Sequence, residues 1–156
     1  MYPRTLSTHS LCIRPITPIE VVSGIPKVLS GIEGFKYNEE DICRNWLEGI
    51  LKGYDREDRV ECFYLLVERG TNEVAGMASF DKSFFIAILS GYRGNGYAKE
   101  AAVSISDYIR SNRNIFGRVS VTVDFDKSVD IHILEKYCGA EFVSCNYYAG
   151  ESTYYI

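Results

Sequence analysis

The sequence has no C-x-x-C pair, no apolar run of membrane-spanning length and no excess of basic charge. Its five cysteines (Cys12, Cys43, Cys62, Cys138, Cys145) are odd in number and widely scattered. That spacing argues against a disulfide framework and against a thiolate zinc site, and the thiols read as small hydrophobes. A bilayer-spanning helix needs about 20 consecutive apolar residues, and nothing here approaches that. With 17 Lys plus Arg against 21 Asp plus Glu, net charge −4, the chain has little with which to grip phosphate backbones, so nucleic acid is not expected as its main partner. The first residues lack the apolar core of a signal peptide, so the expected compartment is the cytoplasm, with no membrane partner. What is present is a 156-residue chain, 46% hydrophobic and 24% charged. It is large enough to bury a core without metal or disulfides, and it is read as one domain over 1–156. Twelve tyrosines and eight phenylalanines favour strands and half-open clefts.

Patterning divides the chain into short elements. Residues 10–14 before Pro15 read as a strand, and 21–29, broken by Gly24 and Pro26, as an irregular helix. Asn38 is a candidate cap for an amphipathic helix whose stripe is Ile42, Cys43, Trp46, Leu47, Ile50, Leu51 and Tyr54. Residues 60–68 and 73–81 form a hairpin around Arg69-Gly70-Thr71-Asn72, followed by an almost wholly apolar run, 84–89, that suits a strand buried on both faces. Ala98, Ala101, Ala102, Ile105, Tyr108 and Ile109 mark a second helix, and 118–125 alternates as a strand. A helix over 129–137 stopped by Gly139, then a hairpin of 141–148 and 153–156, completes a mixed α/β order.

Gly91-Tyr92-Arg93-Gly94-Asn95-Gly96-Tyr97-Ala98 lies between the apolar strand and the alanine-rich helix. Small residues at a helix start let backbone N–H groups approach a ligand while the helix dipole favours negative charge, which together suit a pyrophosphate. The spacing fits neither G-x-x-x-x-G-K-[ST] nor G-x-G-x-x-G.

It does resemble the acyl-CoA loop of the GCN5-related N-acetyltransferases (GNATs), with Arg93, Gly96 and Ala98 in the motif positions. Tyr97-Ala98-Lys99-Glu100-Ala101, Leu11-Cys12-Ile13-Arg14-Pro15 and Leu134-Glu135-Lys136 before Gly139 are similar to the branch that acetylates ribosomal-protein amino termini. The likeness runs from about residue 10 to about 148. It implies an α/β (α+β) single-domain acyl-CoA N-acyltransferase fold. Its mixed, mostly antiparallel sheet would be splayed between strands 4 and 5, with helices on both faces. It also implies acetyl-CoA as cofactor, held by Ile88, Leu89, Arg93, Gly94, Asn95, Gly96, Tyr97, Ala98, Lys99 and Asp126, and an amine-bearing protein or small molecule as substrate.

Two family features are missing: Asp126 or Lys127 occupies the region of an expected Asn, and the expected acid Tyr maps near Leu134. A thiol of pKa near 8.5 leaves tolerably as thiolate, so a missing acid need not abolish turnover. A missing base would favour an α-amine, about one-tenth neutral at pH 7, over a lysine amine, by about 3.5 kcal/mol. Candidate bases are Glu61, Glu68 and Asp81, of which Glu68 and Asp81 are the catalytic assignments; His9 and His132 form no recognisable catalytic arrangement. A competing reading is an acetyltransferase-like interaction module that uses Tyr147, Tyr148, Tyr154 and Tyr155 as a contact surface or homodimer edge. A third, transfer to aminoacyl-tRNA, is disfavoured by the acidic balance.

Overall fold

The computed structural model describes residues 3–58, 60–80 and 84–156. Within them the chain runs β1 (Leu6–Ser7), β2 (Leu11–Arg14), α1 (Pro18–Val22), α2 (Ile25–Ser30), α3 (Glu40–Tyr54), β3 (Phe63–Glu68), β4 (Val74–Ser79) and β5 (Phe85–Ile88). It continues with α4 (Tyr97–Ser111), α5 (Arg113–Phe116), β6 (Ser120–Asp124), α6 (Ser128–Tyr137), β7 (Glu141–Asn146) and β8 (Glu151–Tyr155). Strands β1 to β5 form one antiparallel sheet in sequential order, and a second antiparallel sheet has the order β6-β8-β7.

The two sheets touch where Phe84 N–H donates to Ser120 O at 2.8 Å, and beyond that point no ladder joins β5 to β6. Counted from β2, these are the fourth and fifth strands, so the expected splay is present. Every ladder among the described residues is antiparallel, and the strands fall into two sheets with this hydrogen bond between them.

Two apolar clusters hold the layers. On one face Leu29, Cys43, Leu47, Tyr54, Leu65 and Met77 are buried between α1–α3 and the sheet. On the other, Tyr64, Phe80, Ala101, Ile105, Ile109 and Val121 pack α4 and α6 against both sheets. The alternation in β3 and β4 feeds both clusters, because successive side chains leave a strand on opposite faces.

Some expectations are corrected. Helix α3 starts after Glu39 with no side-chain cap, so Asn38 does not cap it. The apolar segment 21–29 spans two short helices, with Val21 near the end of α1, Pro26 and Leu29 buried in α2, and the break at Ser23-Gly24. Strand β5 is not buried on both faces: Phe85 is 40% exposed and its neighbours are half-buried. Its apolar composition serves the wall of an open cleft. The turn at 81–83 lies outside the described residues.

Candidate functional site

The cleft opens where β5 and β6 part. Leu89 N–H donates to Ala75 O at 2.8 Å on β4, whereas Phe84 N–H turns to β6. Because N–H directions alternate along an antiparallel strand, Ile86 and Ile88 turn their N–H and C=O groups away from β4 and into the cleft. After β5 the chain makes one tight turn and enters α4 through two left-handed glycines, Gly94 (φ +82°) and Gly96 (φ +76°), the latter capping the helix. A Cβ at either would meet nothing within 4 Å, so the space above the loop is open and glycine is required there by its dihedral angle. The first intrahelical bond runs from Glu100 N–H to Gly96 O (3.0 Å), which leaves the amides of the first turn without helical acceptors.

Two cavities fill the cleft. An outer one of about 670 Å³ lies between the glycine loop, the start of α4, the 32–34 segment and the start of α6. An inner one of about 450 Å³ lies between Phe84–Ile86, the β6 residues Val121–Asp124, and α6 as far as Leu134.

Solved structures of similar fold include an acetyltransferase of the GNAT family from Bacillus anthracis (18% identity, covering 100% of this chain and 98% of that one, TM-score 0.68). A second is the Salmonella typhimurium acetyltransferase that modifies the N-terminal serine of ribosomal protein L7/L12 (15%, 96% and 95%, TM-score 0.68). A third is the Vibrio cholerae spermidine N-acetyltransferase in complex with CoA and spermine (17%, 96% and 96%, TM-score 0.68). The fold is that of the GCN5-related N-acetyltransferases. Neither a protein-family model nor a curated protein matches the sequence.

Within this GNAT fold, Ile88, Arg93, Gly94, Gly96, Tyr97, Ala98 and Lys99 all line the outer cavity. Arg93 Nε donates to Ile88 O (3.2 Å), so its side chain braces the loop against β5. Asn95 points elsewhere, its Nδ2 donating to Tyr92 O (3.0 Å), and lines neither cavity. Leu89 lines neither cavity: its N–H donates to β4 and its side chain packs against the apolar cluster on the α1–α3 side of the sheet. Asp126 sits on the β6–α6 turn and lines neither cavity, whereas its neighbour Lys127 lines both. One residue along a tight turn changes which side chain faces the cleft.

Glu68 is not placed as a base. At the end of β3 its carboxylate accepts from the Tyr97 hydroxyl and from Thr71 Oγ1 (2.9 Å), and it borders neither cavity. The Tyr97 hydrogen bond holds its pKa below the usual carboxylate value, which makes it a poorer proton acceptor. In parallel, Tyr92 donates to Glu73, and that bond pushes the Tyr92 phenol up to about 12. The two tyrosines that flank the glycine loop are thus tied to carboxylates of the β3–β4 hairpin.

Glu61 is buried against α3, where a Cβ on Gly53 would lie 2.2 Å from its Oε2, and it borders neither cavity. Asp81 lies outside the described residues. Lys99 Nζ stands 3.8 Å from the ring centre of Tyr137, linking α4 to α6 at the rim. Lys136, then Lys99, draw the Tyr137 phenol pKa down.

Sequence reasoning missed Phe85, Thr122, Asp124 and Asp130 as cleft residues. The strict alternation of 118–125 separates Thr122 and Asp124 from the valines, but it cannot say that the polar face borders a cavity. Among the described residues no cluster of His, Cys, Asp and Glu could hold a metal ion, and no helix is long and apolar enough to cross a membrane.

Proposed function

We propose that the protein transfers an acetyl group from acetyl-CoA to a primary amine. The observation that carries this reading is the pair of left-handed glycines opening α4 beside the unpaired edge of β5. That cradle fits a pyrophosphate: open space over Gly94 and Gly96, uncommitted first-turn amides, and Arg93 and Lys99 around one cavity. The unpaired edge at Ile86 and Ile88 would take the pantetheine amides, as an added strand does. The bound thioester supplies the activated acetyl group. An Ile86 or Ile88 N–H would polarise its carbonyl oxygen, and the apolar walls would keep water from competing with the amine.

The acceptor carries an amine of low basicity, by the pKa arithmetic above. A protein α-amino group meets that condition better than an ε-amine, in keeping with the structural neighbour that modifies an N-terminal serine. The polyamine enzyme among the neighbours makes small amines the competing class.

Calorimetry with acetyl-CoA, followed by thiol release against a panel of N-terminal peptides, lysine peptides and polyamines, tests this. Micromolar binding and amine-dependent thiol release are expected. No binding at millimolar acetyl-CoA would end the reading. Of the tyrosines on which the interaction-module alternative draws, Tyr147 and Tyr148 are exposed beside the exposed edge strand β7 and Tyr155 is half-buried, whereas Tyr154 is buried with its hydroxyl donating to Glu135 and offers no contact surface. Amine-stimulated thioester cleavage would remove that alternative.

The tyrosine struts carry their own expectation. Tyr97→Phe releases the start of α4 from Glu68, and CoA affinity should fall about three- to tenfold with little change in melting temperature. The Glu68 carboxyl has a depressed pKa, so the strut's contribution is complete above the ordinary carboxylate range and is lost as pH falls through the depressed value. Wild-type affinity should therefore decline in acid more steeply than that of the Phe variant. Parallel pH profiles would show that the bond does not position the loop.

A further inference from the structure

The outer and inner cavities share Phe85, Ile86, Ala98, Lys127, Asp130 and Ile133. Four of these are apolar, so among the described residues the neck between the cavities offers two charged groups, Lys127 and Asp130, about one helical turn apart at the start of α6. A chain that lies along β5 from the glycine loop into the inner cavity must pass this neck. Leu134, one turn further along α6, lines the inner cavity and is 5% exposed, and it has no proton to give.

We propose that the Lys127 ammonium stabilises the CoA thiolate as it leaves. The inference rests on the acetyl-transfer reading and assigns the group that replaces the missing acid. In the transfer the amine nitrogen forms a bond to the acetyl carbon, the C–S bond breaks, and its electron pair goes to sulfur. The thiolate pairs with Lys127, and the amine's surplus proton passes to water. Lys127 acts here by its charge, as a point cation beside the sulfur. Lys127 is an exposed residue, and a chain bound along Phe85, Ile86 and Ile133 would displace water beside it and lower the screening of its charge. Asp130 on the same helix and Asp124 at the end of β6 face the same space. Glu33, Arg93 and Lys99 face the outer cavity. Arg93 and Lys99 stand at the pyrophosphate end, and among the described residues Lys127 is the cation that lines both cavities.

The test uses free CoA and desulfo-CoA with the wild-type chain, Lys127→Met, Lys127→Gln and Lys127→Arg. Proton release on binding is measured by calorimetry in buffers of different ionisation enthalpy, and thiolate formation by ultraviolet absorbance. In the wild type the bound thiol should titrate about one pH unit or more below free CoA, and binding near pH 8 should release protons. Met and Gln should abolish the shift while binding desulfo-CoA within about twofold of wild type, and Arg should retain it. Turnover of acetyl-CoA should fall roughly 10- to 100-fold in the Met variant.

If the wild-type thiol titrates as free CoA does, or if the Met variant weakens desulfo-CoA as much as CoA, Lys127 is a cofactor-binding residue only and the inference fails. The acetyl-transfer reading survives that outcome. If the wild type binds neither CoA nor desulfo-CoA, the reading itself fails and the inference with it.

Discussion

Gly96→Glu should abolish acyl-CoA binding while leaving the fold in place. Gly96 holds φ at +76° as the cap of α4, and any side chain there pays for the left-handed conformation, about 1–2 kcal/mol. For a chain of this size that lowers the melting temperature by about 2–8 °C. A Cβ at Gly96 meets nothing within 4 Å, so no steric penalty is added. The functional loss is electrostatic. A carboxylate placed where a pyrophosphate would sit opposes it by about 4 kcal/mol for unit charges 4 Å apart at an effective dielectric near 20. An increase in Kd of at least about 100-fold follows, measured by calorimetry with CoA. Gly96→Ala separates the two contributions: it keeps the backbone strain without the charge and should weaken binding by less than about tenfold. Wild-type affinity in the Glu variant would show that the α4 entrance is an ordinary turn.

The second large effect concerns stability. Gly76 in β4 is buried opposite Ile88, and a Cβ there would lie 2.2 Å from Ala87 O and 3.1 Å from Ile88 Cα. Both are backbone atoms of β5, so they cannot rotate aside. Gly76→Ala must push β5 off β4, an overpacking cost of about 1–3 kcal/mol, or a fall in melting temperature of about 2–12 °C. Since β5 is also the wall of the cleft, CoA affinity should drop with it. Gly49→Ala supplies the opposite sign: Gly49 is an exposed position within α3 whose Cβ meets nothing within 4 Å, and alanine there should add about 0.5–1 kcal/mol. Thermal melts of the two variants read both signs. Equal melting temperatures would mean that β4 and β5 accommodate a methyl group between them.

The same comparison shows why some of the site was legible in the sequence. Gly94 and Gly96 were readable because their requirement is local: a left-handed backbone at a helix start selects glycine whatever the rest of the molecule does. The stripes of α3 and α4 were readable for a similar reason, since a periodic apolar face must be buried somewhere. Glu68 was assigned to catalysis because it ends a strand near a loop, but the partner that decides its role, Tyr97, is 29 residues away. Asp126 was preferred to Lys127 across a turn, where periodicity gives no direction. Leu89 was assigned to the cofactor by its place in the motif, whereas its N–H belongs to Ala75.

By itself the sequence determined the glycine-opened helix, the order of elements and the resemblance that predicts the fold, because these depend on backbone preference and short-range spacing. Tertiary structure alone decided that the apolar run 84–89 walls the cleft left by the splay of β5 from β6, and that Lys127 and Asp130 stand at its neck. Those facts depend on how two separate sheets meet, and no window of neighbouring residues encodes that distance.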